Sequence, residues 1–209
     1  MSSAQTQTRP SDVHVFARAE HERFRTAANA VTAVRTVAAV AVATAAAAEQ
    51  SLALLLLSLA LYWAGDIADG AVARLTGRET RIGAVFDIVS DRLCAAAFYV
   101  GLAWLIPSTA IPAAIYLTQF MVVDMWLSLA FLAWPITSPN YFYVVDRTLW
   151  QWNWSKPAKA LNSGAFAVLL VLTRDPWLGA GVALGLLALK AWSVFRLGKL
   201  GIPIPGSQS

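Results

Sequence analysis

Residues 66–91 read DIADGAVARLTGRETRIGAVFDIVSD. Apolar runs flank the stretch on both sides, at 50–65 and 92–106, while Thr76-Gly77-Arg78 in its middle carries the glycine and charge that end a helix. The reading is a charged turn between two membrane-spanning helices, with Asp66, Asp69, Asp87 and Asp91 beside or inside segments greasy enough to cross a bilayer. A carboxylate at membrane depth costs about 2.5 to 3.5 kcal/mol even on lenient insertion scales, so four together need a compensating partner.

The rest of the chain agrees with a lipid setting. Of 209 residues, 58% are hydrophobic and only 13% charged, and the mean hydropathy is +0.57, far from the balance of a water-soluble domain. The fold class is therefore all-α integral membrane. Hydrophobic windows predict six transmembrane helices at 29–48, 50–65 continuing to about 76, 81–106, 110–134, 156–173 and 176–197. The six-helix domain covers 29–199, between a 1–28 leader and a 200–209 tail, with no internal repeat. Pro10-Ser11-Asp12 offers an N-cap, and Val13, Phe16, Ala17 and Phe24 make an apolar stripe among charges. This predicts an amphipathic juxtamembrane helix lying on the bilayer. The leader lacks the apolar core of a secretory signal, so it is expected to be retained. Tryptophan and tyrosine cluster from Trp134 to Trp154, a stretch expected to lie along a membrane surface.

The net charge of +4 does not imply nucleic acid, because the basic residues form no stripe with interleaved aromatics. They follow topology instead. With six spans, Arg9, Arg18, Arg23, Arg25, Arg74, Arg78, Arg81, Arg147, Lys156, Lys159, Arg196 and Lys199 fall on one side and Arg174 on the other, which places both termini and the aspartates at the cytoplasmic face of the cell membrane. Cys94 is alone and reads as a packed thiol. His14 and His21 read as a headgroup-facing pair, not a metal site.

The aspartate spacing carries chemistry. Asp66 and Asp69, three apart, share one helix face, and Asp87 and Asp91, four apart, share another. Facing helix ends would form an all-oxygen site suited to Mg²⁺ or Mn²⁺, with two ions neutralising four charges. Small residues (Gly65, Gly70, Ala71, Ala73, Gly83 and Ala84) let the helices approach or admit a substrate. The alternative is a purely structural network with Arg74, Arg78, Arg81 and Arg92, which gains little over apolar packing. Asp124, inside the fourth span, is expected to pair with Arg35 or to touch substrate, Lys190 to snorkel toward the interface, and Arg92 to pair with a neighbouring acid or headgroup.

Asp66, Asp69-Gly70, Ala73-Arg74, Gly83, Asp87 and Asp91 fit D-x2-D-G-x2-A-R-x8-G-x3-D-x3-D at every fixed position. In this the chain resembles the CDP-alcohol phosphotransferases, and Asn29-Ala30-Val31-Thr32 looks like their N-x-x-T element at the start of the first span. The resemblance implies a homodimer in which Asp66, Asp69, Asp87 and Asp91 hold two divalent ions on the pyrophosphate of a CDP-linked lipid. It implies that Asp91 is also the general base for an acceptor hydroxyl that attacks phosphorus directly and expels CMP. It further implies a CDP-lipid pocket of Asn29, Thr32, Asp69, Gly70, Ala73, Arg74 and Thr80.

The function expected on this resemblance is transfer of phosphatidyl from CDP-diacylglycerol to a small phosphorylated polyol, such as glycerol 3-phosphate or inositol phosphate. Ser155-Lys156-Pro157-Ala158-Lys159 resembles a lysine element of phosphatidylglycerophosphate synthases, which makes Lys156 and Lys159 candidates for the acceptor phosphate. The rival within the family transfers a soluble CDP-alcohol headgroup to diacylglycerol. A cation transporter is the rival outside it, and would need inverted repeats or broken midplane helices.

Overall fold

The structure is a computed structural model and describes residues 15–203. It is built of helices, and among the described residues no strand forms beyond one isolated antiparallel bridge, Phe16 to Ile136. Helix α1 spans Ala27–Ala48, α2 Leu52–Thr76 and α3 Arg81–Leu105. Their starts are fixed by hydroxyl caps: Thr26, Ser51 and Thr80 accept from the backbone N–H of Asn29, Leu54 and Gly83. Helix α2 stops at Gly77, whose φ of 62° is left-handed and suits glycine.

The fourth apolar helix, α4, covers Pro107–Ala133. Its course is broken by a π-helical turn at Gln119–Asp124. After a 3-10 segment at Pro139–Val144 comes the short α5, Arg147–Asn153. Helix α6 occupies 156–173 and contains a second π turn, Ala160–Gly164. The last helix, α7, spans Pro176–Leu200 and begins with Asp175 accepting from the N–H groups of Trp177 and Leu178.

Among the described residues, five helices, α1 to α4 and α7, are long and apolar enough to cross a membrane, which makes this a multi-pass membrane protein. The expected fifth of six spans is α6, and its first half is polar, with Lys156, Lys159, Asn162 and Ser163. Lipid-facing positions carry large apolar side chains: Val34, Val37, Val100 and Leu172 are all exposed. Trp104 and Trp177 are exposed at the end of the bundle where α3 closes and α7 opens, as aromatic residues at a lipid–water boundary do.

Helix α1 lies against both α2 and α3. One core joins Leu55, Phe98, Leu102, Tyr116, Phe166 and Leu170. Within it Tyr116 stacks on Phe166 with ring centroids 4.5 Å apart, and Cys94 is buried. A second core gathers Ile88, Leu127, Phe131, Phe142, Leu149, Trp154 and Leu197. The stretch 134–154, expected along a membrane surface, contributes three of these residues, Phe142, Leu149 and Trp154. Phe142 and Trp154 turn inward with centroids 4.8 Å apart, and Trp152 remains exposed.

The leader also departs from expectation. The expected cap at Pro10-Ser11-Asp12, with Val13 and His14, lies outside the described residues. From Val15 to Thr26 the chain forms a strap with one 3-10 turn, Ala19–His21, in place of the amphipathic helix. Its backbone groups find partners elsewhere. The Ala17 N–H donates to Pro135 O at 3.0 Å and the Thr137 N–H to Val15 O at 2.9 Å. Glu22 accepts from the N–H groups of Arg81 and Ile82 at 2.9 and 3.1 Å, so an acid from the strap satisfies two open donors at the α3 N-terminus.

Candidate active site

Helices α2 and α3 run antiparallel from the turn at 77–80 and bring the four aspartates together. Carboxylate oxygens of Asp66, Asp69 and Asp87 lie within 4.8 Å of one another. Asp69 sits at the back, its side chain 6% exposed, while those of Asp66 and Asp87 are 46% and 39% exposed and face the opening. Asp91 lies one turn deeper on α3.

A cation occupies their midst, and it comes from α1. Arg35 Nε donates to Asp69 at 2.8 Å, and Nη2 donates to Asp87 at 2.5 Å and Asp91 at 2.9 Å, with Asp66 3.8 Å away. Thr32, one turn earlier on the same face, donates to Asp69 at 2.7 Å. The expected Arg35–Asp124 pair is therefore overturned: α1 is rotated so that Arg35 points at the α2–α3 carboxylates. Sequence held a signal for this, since Arg35 is the one charged residue of α1 and follows Thr32 by three positions, on its face. Gly65 makes room, because a Cβ there would lie 2.5 Å from Arg35 Cβ and 2.6 Å from Cδ.

Two cavities meet at the carboxylates. Asn29, Thr32, Asp69, Gly70, Ala73, Arg74 and Thr80 all line the first. Thr80 has a structural duty as well, because its hydroxyl caps α3. Gly83 lets α1 and α3 approach here: a Cβ would meet Thr80 Oγ1 at 2.8 Å and Asn29 Oδ1 at 3.0 Å. The second cavity is lined by Asp66, Asp91, Lys159 and Tyr62, and Asp87 borders both. Lys156 is exposed and does not line it.

The wall of the second cavity holds a further buried network that sequence did not assemble. Asp124 bonds Arg92, as one of the outcomes expected for Arg92, and also Lys190 at 2.6 Å. Lys190 donates to Asn153 at 2.9 Å and is buried, so it does not snorkel. The π turn of α4 carries Asp124, and this break in the helix was not legible in composition. Outside the apolar helices, Asp146 bonds Arg196 at 2.9 Å. Burial acts to raise its pKa, but the Arg196 hydrogen bond and the Leu149 and Thr148 N–H groups outweigh it and hold the carboxyl below its ordinary value.

The donor set fits a hard divalent ion. It is all carboxylate oxygen, its spacing lets three groups share one ion, and Arg35 already marks the place as cation-seeking.

A family model described as CDP-alcohol phosphatidyltransferase matches residues 25–194. No match was found among curated proteins or among solved structures.

Proposed function

This chain belongs to the CDP-alcohol phosphatidyltransferase family and is an enzyme of that type, and from that premise we propose that it moves phosphatidyl from CDP-diacylglycerol to a small phosphorylated polyol, releasing CMP. The observation that carries this reading is the shared border of the two cavities. The residues implied for the CDP end line one, Asp66, Asp91 and Lys159 line the other, and Asp87 belongs to both. Glycerol 3-phosphate and inositol phosphate suit the second cavity, where Lys159 stands free of the Arg92–Asp124–Lys190 pairing and across from the Asp66, Asp87 and Asp91 carboxylates.

In this mechanism Arg74 presents a guanidinium fork to phosphate oxygens, Gly70 allows close approach, and Asn29, Thr32 and Thr80 supply polar contacts to the nucleotide. Asp66, Asp69, Asp87 and Asp91 would hold two ions, Mg²⁺ or Mn²⁺. When bound, these supply Lewis-acid polarisation of the pyrophosphate and offset its charge. Asp91, 19% exposed at the second cavity, takes the proton from the acceptor hydroxyl as its oxygen attacks phosphorus. Thr32 and Arg35 donate to the Asp69 carboxylate and hold it in place. Lys159 meets the acceptor phosphate, and Lys156 serves as an interfacial anchor. We further propose that α6 crosses the bilayer as a sixth span, that both termini and the site are cytoplasmic, and that the enzyme is a homodimer.

The test is purified protein with Mn²⁺ or Mg²⁺, CDP-diacylglycerol and a panel of polyols and polyol phosphates, followed by CMP release. A parallel arm offers CDP-choline or CDP-ethanolamine with diacylglycerol. Turnover with a polyol phosphate that Asp91→Asn abolishes is the expected result. No CMP with any acceptor, or turnover only in the parallel arm, defeats the proposal.

A further inference from the structure

Between α4 and α5 the backbone runs along both cavities, and Ser138 and Asn140 line each of them. The segment is pinned on both sides of Ser138. Thr137 donates through its N–H and Oγ1 to Val15 O at 2.9 and 3.3 Å. Tyr141 donates to Glu79 Oε2 at 2.6 Å, and Trp150 Nε1 to Asn140 O at 2.8 Å. Each of these neighbours has its polar group engaged by the protein.

Ser138 does not. Its residue is 7% exposed, yet its Oγ has no hydrogen-bond partner among the described residues. A serine just ahead of a helical turn ordinarily caps it, and Ser138 holds that position before Pro139–Val144 without making a side-chain cap bond. A buried hydroxyl without a partner works against folding. Alanine at this site would serve the fold at least as well, so a structural role does not account for the hydroxyl.

Resting on the reading above, we propose that Ser138 is a substrate-contacting residue whose hydroxyl donates a hydrogen bond to an anionic phosphate oxygen as the phosphatidyl group passes from the nucleotide cavity to the acceptor cavity. No bond is made or broken at Ser138. Its hydroxyl is left unpaired in the fold so that it can be paired during transfer.

Ser138→Ala and Ser138→Thr test this in the CMP-release assay, with thermal unfolding measured alongside. The expected result for Ser138→Ala is a fall in kcat of about 100-fold, KM for both substrates little changed, and a melting temperature equal to or above wild type. Ser138→Thr, which keeps the hydroxyl on an extended backbone (φ −156°, ψ 165°) that suits a β-branched residue, should recover most of the rate. Wild-type turnover in the alanine variant overturns the proposal while leaving the function standing. A drop in melting temperature that accounts for the lost rate also overturns it, since that is the signature of a structural hydroxyl. Failure of the wild type to release CMP rejects the function, and this inference with it.

Discussion

Replacing Arg35 with methionine removes a charge but keeps an unbranched apolar stem against Gly65. The guanidinium is the shared partner of Asp69, Asp87 and Asp91 at 2.8, 2.5 and 2.9 Å, and its side chain is 3% exposed. Removing one member of a buried ion pair typically costs about 3 to 5 kcal/mol, because the other charge is left without compensation. Two of the acids, Asp66 and Asp87, are 46% and 39% exposed, and water relieves part of their cost. Asp69 keeps its bond from Thr32. The lower end of that range, about 3 kcal/mol, is therefore expected. For a chain of this size that is a fall in melting temperature of about 6 to 12 °C. A divalent ion at about 100 times its dissociation constant returns about 2.7 kcal/mol to whichever protein binds it, so the variant in Mn²⁺ should melt close to wild type in EDTA. The assay is thermal unfolding in detergent with EDTA or Mn²⁺, with Mn²⁺ affinity read separately by EPR. Arg35→Met should bind Mn²⁺ more tightly than wild type, since Asp69, Asp87 and Asp91 no longer share their charge with a guanidinium. Equal melting temperatures in EDTA would refute the reasoning, as would weaker Mn²⁺ binding by the variant.

The same geometry makes Gly65→Ala costly although it removes no interaction by itself. The new methyl must push Arg35 aside, and a loss of about 1 to 3 kcal/mol in thermal unfolding is expected. Asp124→Ala strands Arg92 and Lys190 in the bundle, with an expected loss of about 3 to 5 kcal/mol; a denaturation midpoint like that of wild type would show the network to be energetically idle. The Asp146–Arg196 pair predicts an acid limb. Because the folded carboxyl lies below its ordinary value, its stabilisation is fully present above about pH 4 and is lost as the pH falls through the depressed value. In melting curves taken against pH, Asp146→Asn should lie below wild type near neutrality and converge with it in strong acid.

How far the sequence could be read differs along the chain, and the reason is whether a local signal had to compete with a distant one. The first four apolar helices and the last end close to where hydrophobic windows and capping residues put them, because span length and hydroxyl caps are local properties. The aspartate pairs were legible for the same reason: spacings of three and four fix a face. The strap from Val15 to Thr26 carried an amphipathic stripe too, but Pro135, Thr137 and the open N–H groups of α3 offered its backbone and Glu22 better partners. Arg35 lay between the two cases. An intramembrane cation calls for an acid, but whether that acid was Asp124 or the tetrad depended on the rotation of α1, which composition does not encode. Lys190 was misread similarly: a long side chain within a span tends toward the interface unless an acid such as Asp124 meets it inside.

The π turn at Gln119–Asp124 gives α4 a particular kind of fragility. Such a turn holds one residue more than an α-helix needs, and so offsets every later side chain by roughly 100° about the axis. Deleting a single residue there would mend the helix, yet it would swing Asp124 away from Arg92 and Lys190 and carry Ser128 and Phe131 out of their places on the inner face. Point substitution and deletion thus probe different things in this segment. A drift in chain length of one residue, harmless in most loops, would here unlock a buried charge network without changing the helix's hydrophobicity at all.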